Sequence, residues 1–261
     1  MSWRKFLVIP QLIYYGARAP KTQRAAWERY WSGIERTGPA GQVLWDADSE
    51  AERDELLSVL GANADLRLPL VDVGCGNGRF SRALATHAPR VLGIDPSESA
   101  IGHARRESGD AANLAFRVAD ITAPGLGAAI HDELGDANAL LRGVLHVLDD
   151  AGRQAAVQNL REIVGRRGAI CLTETNIASP LDHLEFQGAT ATSMPDPLRR
   201  CIEAGIRPPS HFGEAQVEAW FPRDRWRWLL AGDAIMHGVP LHAGRVLEEI
   251  PSYRAIVRPS D

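Results

Sequence analysis

The sequence predicts an α/β fold built on a mostly parallel sheet, and three observations point to it. From residue 68 onward, short apolar segments alternate with segments of helical composition. The first apolar segment breaks into Gly74, Gly76 and Gly78 immediately before a helix. Two more strand-like segments, at 226–237 and 253–258, follow a long irregular stretch. Alternation of strands and helices is typical of parallel sheets joined by crossover helices.

The predicted elements follow one another in a regular order. Strands are predicted at 68–73, 91–95, 114–119, 137–142 and 168–174. Helices are predicted at 79–86, 98–107, 125–134 and 150–164. A short helix at 214–220 and two strands at 226–237 and 253–258 complete the pattern. Ligands of open α/β sheets bind at the carboxyl ends of the strands, so the functional site is expected there.

Two segments lie outside this alternation. Residues 1–65 are predicted to form an N-terminal helical lid, with helices in 20–60 interrupted by the loop 33–41. Residues 177–212 contain several prolines and no clear period, which is typical of a functional insertion. We therefore expect a core at 66–261 that carries a substrate-binding insertion at 177–212.

Composition limits the classes of function. The 261 residues carry a formal net charge of −4, and no run of Lys or Arg exceeds two residues, which argues against a nucleic-acid substrate. Cys75, Cys171 and Cys201 have neither metal-ligand nor disulfide spacing, so we expect no metal site and a cytoplasmic location. The apolar segment 6–15 is too short to span a bilayer, and no stable membrane insertion is expected.

The glycine loop is the most specific motif. A dinucleotide fingerprint needs G-x-G-x-x-G, but Arg79 occupies the position of its last glycine. The sequence instead has G-x-G-x-G behind an acid within the strand, Asp72. This loop resembles the first motif of the class I S-adenosylmethionine-dependent methyltransferases. The resemblance implies that the loop wraps the amino-acid end of that cofactor.

Acids at the next two strand ends extend the resemblance. Asp95 lies 21 positions after Gly74, and a carboxylate there can accept hydrogen bonds from ribose hydroxyls. It could also cap the helix that follows, and both roles are compatible. In the family, an acid followed by an apolar residue, here Asp120 and Ile121, recognises adenine.

The resemblance implies a complete fold and a binding set. The expected fold is a Rossmann-like seven-stranded, mostly parallel sheet with a reversed last strand and helices on both faces. The expected cofactor is S-adenosyl-L-methionine. The expected cofactor-binding residues are Asp72, Gly74, Gly76, Gly78, Asp95, Pro96, Asp120, Ile121, Arg142, Tyr30 and Trp31.

Catalysis is less well indicated, because methyl transfer is mainly a matter of alignment. A base is needed only when the acceptor must lose a proton, and the candidates are His146, Glu174 and His183. His146 follows the fourth strand, while Glu174 ends the fifth and faces the pocket or pairs with Arg142. We expect a small, moderately apolar acceptor, with O-methylation favoured, and a homodimer is possible.

Other functions remain open from the sequence. An enzyme of the same fold could bind the sulfonium cofactor and catalyse cyclisation or elimination instead of methyl transfer. A binding or regulatory protein could retain the fold, although the intact glycines and the three strand-end acids argue against it. A nicotinamide dehydrogenase is disfavoured by Arg79. The identity of the natural acceptor is not indicated.

Overall fold

One sheet forms the centre of the molecule. In the computed structural model the described residues are 9–17, 19–179, 181, 184, 188–190, 192–241 and 246–260. Their strands are β1 Leu70–Val73, β2 Val91–Asp95, β3 Leu114–Val118, β4 Asn138–Arg142, β5 Ile170–Thr175, β6 Trp226–Gly238 and β7 Glu248–Pro259.

Helices precede, connect and follow these strands. They are α1 Ile9–Gly16, α2 Gln23–Ser32, α3 Glu50–Asn63, α4 Arg79–Leu84, α5 Glu98–Ser108, α6 Leu126–Leu134, α7 Asp150–Val164, α8 Asp196–Ala204 and α9 Glu214–Trp220, with a 3₁₀ turn at Leu145–Val147. Several begin at side chains that accept a hydrogen bond from the first turn: Thr22, Ser49, Ser97 and Asp149. None of the described helices is long and apolar enough to cross a membrane.

The strand order confirms the predicted Rossmann-like fold. The sheet runs β3-β2-β1-β4-β5-β7-β6, with β1 to β5 parallel and β7 antiparallel to both of its neighbours. The reversed strand is therefore inserted between β5 and β6. Val73 lies opposite both Ile94 and Leu141, which brings the carboxyl ends of β1, β2 and β4 to one edge. The glycine loop follows β1 at that edge.

Apolar cores cover both faces of the sheet. Val71 and Leu141 pack into one cluster with residues of α6, α7 and β7. Their strand neighbours Leu70 and Leu140 pack into the other cluster, beneath α3 and α4. Successive strand residues point to opposite faces, so a buried two-sided sheet requires continuous apolar runs. This is the reason the predicted strands are mainly apolar along their length and do not alternate between apolar and polar residues.

The two described helices α2 and α3 of the predicted lid at 1–65 pack against different parts of the molecule. Leu56 and Leu60 of α3 belong to the core beneath the sheet, whereas α2 packs against α5 and α8. The two helical pieces predicted within 20–60 are present as α2 and α3. The loop between them extends to Ser49, well beyond the predicted 33–41. Helix α3 is thus part of the core that covers the sheet, whereas α2 packs mainly on other helices.

Two elements differ from the predicted pattern. Helix α8 lies inside the irregular segment 177–212, where the flanking prolines obscure a nine-residue helix. Strand β7 begins at Glu248 rather than 253, although it contains Pro251. The ladder of β5 with β7 ends at Ser252, and beyond it the Pro251 carbonyl accepts a hydrogen bond from the Asn176 N–H, so the missing N–H of Pro251 removes no bond of that ladder.

Candidate functional site

A cavity of about 890 Å³ opens at the carboxyl ends of the parallel strands. Its size lies within the range of small-molecule and cofactor pockets, roughly 300–1,000 Å³. One part is polar and contains Gly74, Gly76, Asp95 and Asp120. The other part is apolar and is lined mainly by the N-terminal region and by residues 181–209. The cavity thus combines a polar surface suited to a nucleotide-like ligand with an apolar compartment.

The glycine loop approaches the cavity without side chains. Gly74 and Gly76 have φ values of +69° and +54°, a region that side-chain-bearing residues rarely adopt. A Cβ atom on Gly74 would lie 2.8 Å from Val144, and one on Gly76 would lie 2.9 Å from Trp31. Both positions therefore require glycine for conformation and for space. Such a bare loop admits a ligand close to the backbone.

Gly78 and Asp72 support the loop from behind. A Cβ on Gly78 would lie 2.6 Å from Phe116, a half-buried residue of β3 that also packs on Gly93. The Asp72 carboxylate accepts a 2.5 Å hydrogen bond from the Ser81 hydroxyl, and burial raises the pKa of Asp72 to about 6. Neither Gly78 nor Asp72 lines the cavity. The structure thus places both of these predicted cofactor residues in the packing beneath the loop.

Asp95 connects two strand ends. Its carboxylate accepts hydrogen bonds from the backbone N–H groups of Gly76, at 3.0 Å, and Ser97, at 2.9 Å. Ser97, not Asp95, accepts the capping hydrogen bond of α5. Asp95 is 6% exposed, and burial raises its pKa to about 7. It lines the cavity together with Pro96, in the position predicted for the ribose.

Asp120 and Ile121 lie side by side on the cavity wall. The Oδ1 atom of Asp120 accepts hydrogen bonds from the backbone N–H and the hydroxyl of Thr122. This turn fixes the carboxylate and leaves Oδ2 without a hydrogen bond among the described residues. Ile121 is buried against the core of the sheet and offers an apolar surface. The pair has the chemistry predicted for recognising an adenine.

Of the two predicted lid aromatics, only Trp31 reaches the cavity. Trp31 is 2% exposed and packs directly on Gly76. Tyr30 stacks on Trp45 with ring centroids 5.1 Å apart, and its hydroxyl accepts a hydrogen bond from the Leu44 N–H. Tyr30 does not line the cavity. Its contacts hold the lid aromatics together.

Arg142 lies on the cavity wall but is bound to α3. Its guanidinium forms a bidentate ion pair with Glu52 of α3, one contact of which measures 2.9 Å. It also donates to the backbone carbonyl of His237 on β6. Burial alone would raise the pKa of Glu52, but the charge and hydrogen bonds of Arg142 lower it. The pairing of Arg142 with Glu174 that the sequence suggested is wrong, because Glu52 takes that position.

Glu174 instead forms a pair with His146. Glu174 is fully buried and accepts hydrogen bonds from the backbone N–H groups of Val144, Leu145 and His146. Its Oε2 atom lies 2.8 Å from Nδ1 of His146, while the Thr175 N–H lies 3.1 Å from the same nitrogen. The Thr175 N–H donates to Nδ1 in the tautomer that carries its proton on Nε2, whereas the shorter contact to the acceptor-only carboxylate favours the tautomer with the proton on Nδ1, since two acceptors would repel.

His146 and Glu174 differ in their access to the cavity. His146 lines the cavity, so a proton on Nδ1 leaves Nε2 as the acceptor available to a bound molecule. Glu174 does not line the cavity and acts only through the backbone and His146. The third candidate, His183, lies outside the described residues. His146 is the candidate that the structure brings beside the glycine loop.

The apolar compartment contains residues that the sequence did not single out as ligand contacts. They come from α1, α2, the insertion and the two antiparallel strands: Leu12, Trp27, Ile202, Met236 and Ile250. Met236 and Ile250 are opposite one another on β6 and β7. Their only sequence signal is strand alternation, which does not reveal which face meets a ligand.

Comparisons with known proteins agree with this geometry. Residues 70–168 match the methyltransferase domain family. A solved S-adenosylmethionine-dependent methyltransferase of Anabaena variabilis ATCC 29413 is 29% identical, with a TM-score of 0.78 over 93% of this chain and 97% of that one. The chain has the domain and the fold of the class I S-adenosylmethionine-dependent methyltransferases. S-adenosylmethionine is the cofactor of this methyltransferase, as predicted.

Other similar proteins either have lower sequence identity to this chain or match a smaller part of it. The N-methyltransferase NodS of Bradyrhizobium japonicum WM9, solved with S-adenosyl-L-homocysteine, is 16% identical with a TM-score of 0.51 over 82% of this methyltransferase and 90% of NodS. A phosphoethanolamine N-methyltransferase of Triticum aestivum is 32% identical over 108 residues, 40% of this chain. This methyltransferase spans between 21% and 27% of the length of the curated relatives it matches.

The site of this methyltransferase fits its cofactor. Gly74 and Gly76 form a cradle that a Cβ would fill, and Asp95 and Asp120 present carboxylate oxygens to the same space. These groups would hold the amino-acid end, the ribose and the adenine as the family resemblance implies. Among the described residues no cluster of three or more His, Cys, Asp or Glu side chains could hold a metal ion.

Proposed function

We propose that the protein methylates a small, moderately apolar acceptor and that oxygen is the preferred atom. One observation carries this proposal: a single cavity joins the glycine loop to an apolar compartment, with His146 on its wall. An apolar compartment binds an apolar acceptor by removing its surface from water, at roughly 25 cal/mol per Å². The same compartment excludes water from the reaction.

The insertion supplies much of the acceptor side. Leu181, Leu184 and Leu198 face the cavity, and the last two also pack into one cluster. Ser210 donates from its N–H and its hydroxyl to the carbonyl of His146, which ties the insertion to the base. We infer that 177–212 selects the acceptor, in keeping with the predicted substrate-binding insertion.

His146 supports the preference for oxygen. When bound, S-adenosylmethionine supplies the methyl group. A hydroxyl acceptor must then lose its proton, and Nε2 of His146 can take it while Glu174 stabilises the resulting imidazolium through Nδ1. A neutral amine needs no base before it attacks, so the pair would have no comparable role for nitrogen. The wheat relatives, whose names specify N-methylation, make amines the competing acceptor class.

An assay with matched acceptors tests both parts of this proposal. The protein is incubated with S-adenosylmethionine and pairs of aromatic or aliphatic compounds that differ only in bearing a hydroxyl, a carboxylate or an amine. S-adenosylhomocysteine and the methylated product are both quantified by mass spectrometry. We expect product from hydroxyl or carboxylate compounds with an apolar body. Products formed solely from amines would refute the oxygen preference, and release of S-adenosylhomocysteine with none of the pairs would count against this acceptor class.

A further inference from the structure

The N-terminal region has a charge pattern unlike the rest of the chain. Residues 1–27 contain Arg4, Lys5, Arg18, Lys21 and Arg24 and no Asp or Glu, although the chain as a whole has a net charge of −4. The first acid is Glu28, whose carboxylate accepts hydrogen bonds from Ser97 and Ser99 and therefore faces α5. The first 27 positions thus carry five basic residues and no acid, against a negative net charge for the whole sequence.

Helix α1 exposes an apolar face within this segment. Ile13 is 69% exposed and Tyr14 is 78% exposed, and Ile9 is also exposed. With Pro10 and Ala17, these residues recur at the spacing of a single helix face. All are apolar except for the Tyr14 hydroxyl, and α1 carries no charged residue. Such a surface on a soluble helix marks a contact with a partner or a membrane.

The opposite face of α1 belongs to the active-site cavity. Leu12 packs with Leu184 and Leu198, and Leu12 and Gly16 line the cavity. The Gln11 side chain donates to the carbonyl of Thr190 in the insertion. Helix α1 therefore separates the apolar compartment from the exterior with one layer of side chains.

Two basic residues line the same cavity as Leu12 and Gly16 of α1. Lys21 and Arg24 line it, are exposed, and have no ion pair among the described residues. Exposed basic groups beside an apolar helix face match the chemistry of an anionic lipid surface, which attracts Lys and Arg and accepts shallow apolar insertion. The charge pattern thus indicates which partner covers the exposed face.

We propose that α1, together with Lys21 and Arg24, docks this protein on the surface of an anionic bilayer, with Ile9, Ile13 and Tyr14 inserted at the headgroup level. Because α1 separates the apolar compartment from the exterior by one layer of side chains, docking would hold that compartment close to an apolar acceptor dissolved in the bilayer. The docking does not depend on the proposed methyl transfer, and its test requires no turnover.

Vesicle co-sedimentation of the full chain tests the docking. Vesicles of phosphatidylcholine alone are compared with vesicles that also contain phosphatidylserine, in low salt and in about 0.5 M NaCl, where charge attraction is screened. We expect binding to the anionic vesicles in low salt, weak binding to the neutral ones, and loss of binding in high salt. Absence of binding to anionic vesicles in low salt would overturn the proposal.

Matched variants distinguish the specific contribution of α1 from the general effects of surface charge and surface hydrophobicity. Lys21→Glu with Arg24→Glu should reduce binding at least about tenfold, whereas Arg166→Glu with Arg227→Glu makes the same charge change at two exposed sites elsewhere and should affect it less. Ile13→Ser with Tyr14→Ser should reduce binding about tenfold, whereas Val246→Ser, at a residue 85% exposed, should not. Circular dichroism checks that each variant is folded.

Self-association is the alternative occupant of the exposed face. Sedimentation velocity without vesicles measures it for the wild type and for the Ile13→Ser, Tyr14→Ser variant. A wild-type dimer that dissociates in this variant, together with equal vesicle binding by both proteins, would show that a second copy covers α1. The docking proposal would then be wrong.

Discussion

Asp95 accepts a hydrogen bond of 3.0 Å from the backbone N–H of Gly76, so the end of β2 holds the glycine loop that follows β1. The same carboxylate faces the cavity. It therefore shapes the loop and offers its remaining lone pairs to a ligand. Removing it should impair cofactor binding in both ways.

We predict that Asp95→Ala weakens the binding of S-adenosylmethionine roughly 10- to 100-fold, the usual effect of losing hydrogen bonds to a charged group. Isothermal titration calorimetry measures the affinity, and thermal unfolding checks that the variant is folded. Asp110→Ala, at an exposed acid in a turn, is the control and should bind normally. Unchanged affinity in a folded Asp95→Ala protein would eliminate the ribose role.

The buried Asp95 also predicts how stability depends on pH. Burial raises its folded pKa to about 7 from an ordinary value of 3.8, so the folded state retains a proton that the unfolded state has lost. The stabilising effect of that proton is complete below about pH 4 and is lost as the pH rises through about 7. Asp95→Asn should therefore stabilise the ligand-free protein at pH 8 relative to wild type. Urea unfolding at pH 5 and pH 8 should show a smaller gain at pH 5.

Cofactor affinity should follow the opposite trend. A ribose hydroxyl donates to the ionised carboxylate, so affinity for S-adenosylmethionine should rise as the pH increases through about 7. Titrations between pH 6 and pH 8 measure the effect, and Asp95→Asn should flatten the curve. A wild-type affinity that is constant over this interval would contradict a ligand bound to the ionised form.

Gly76 and Gly125 form a matched pair for testing the loop. Both have positive φ, +54° and +75°, but a Cβ on Gly76 would meet Trp31 at 2.9 Å, whereas one on Gly125 would meet nothing within 4 Å. Gly125→Ala should show the backbone cost alone, about 1 kcal/mol. Gly76→Ala should cost more and should also abolish cofactor binding as measured by calorimetry. Equal effects of the two substitutions would mean that the Trp31 side chain moves away from the added Cβ at little energetic cost.

His146→Asn tests the proposed base. General-base catalysis typically contributes about 10²- to 10⁴-fold, so kcat with a hydroxyl acceptor should fall within that range. A carboxylate acceptor enters already ionised and should be much less affected. Steady-state kinetics with both acceptors give the comparison, and calorimetry should show unchanged cofactor affinity. A similar loss with both acceptors would assign His146 a positioning role instead.

The Arg142–Glu52 pair should be a major determinant of stability. Arg142→Met would leave the carboxylate of Glu52 buried without its partner, which typically costs about 3–5 kcal/mol. Urea unfolding measures the loss. Glu52→Gln in the same background removes the orphaned charge and should recover part of it. Failure of the double variant to recover stability would show that the hydrogen bonds, not the charge, dominate.

Local sequence signals were sufficient for the sheet and its loop. Parallel strands buried on both faces read as apolar runs, and the glycines at 74, 76 and 78 mark the turn after β1 because only glycine readily takes these φ values. The prolines around α8 concealed that helix, and Pro251 concealed the start of β7. Those two segments depend on which neighbours satisfy their backbone, and that information is not local.

The sequence by itself determined the fold class, the family and the cofactor, because these depend on short motifs at strand ends. Only the tertiary structure decided what each polar group contacts. It paired Arg142 with Glu52, placed Glu174 against His146, and put Gly78 and Asp72 beneath the loop. These contacts join residues far apart in the chain, and the strand order that brings them together has no local signature. The chemistry of the acceptor depends on the same long-range packing.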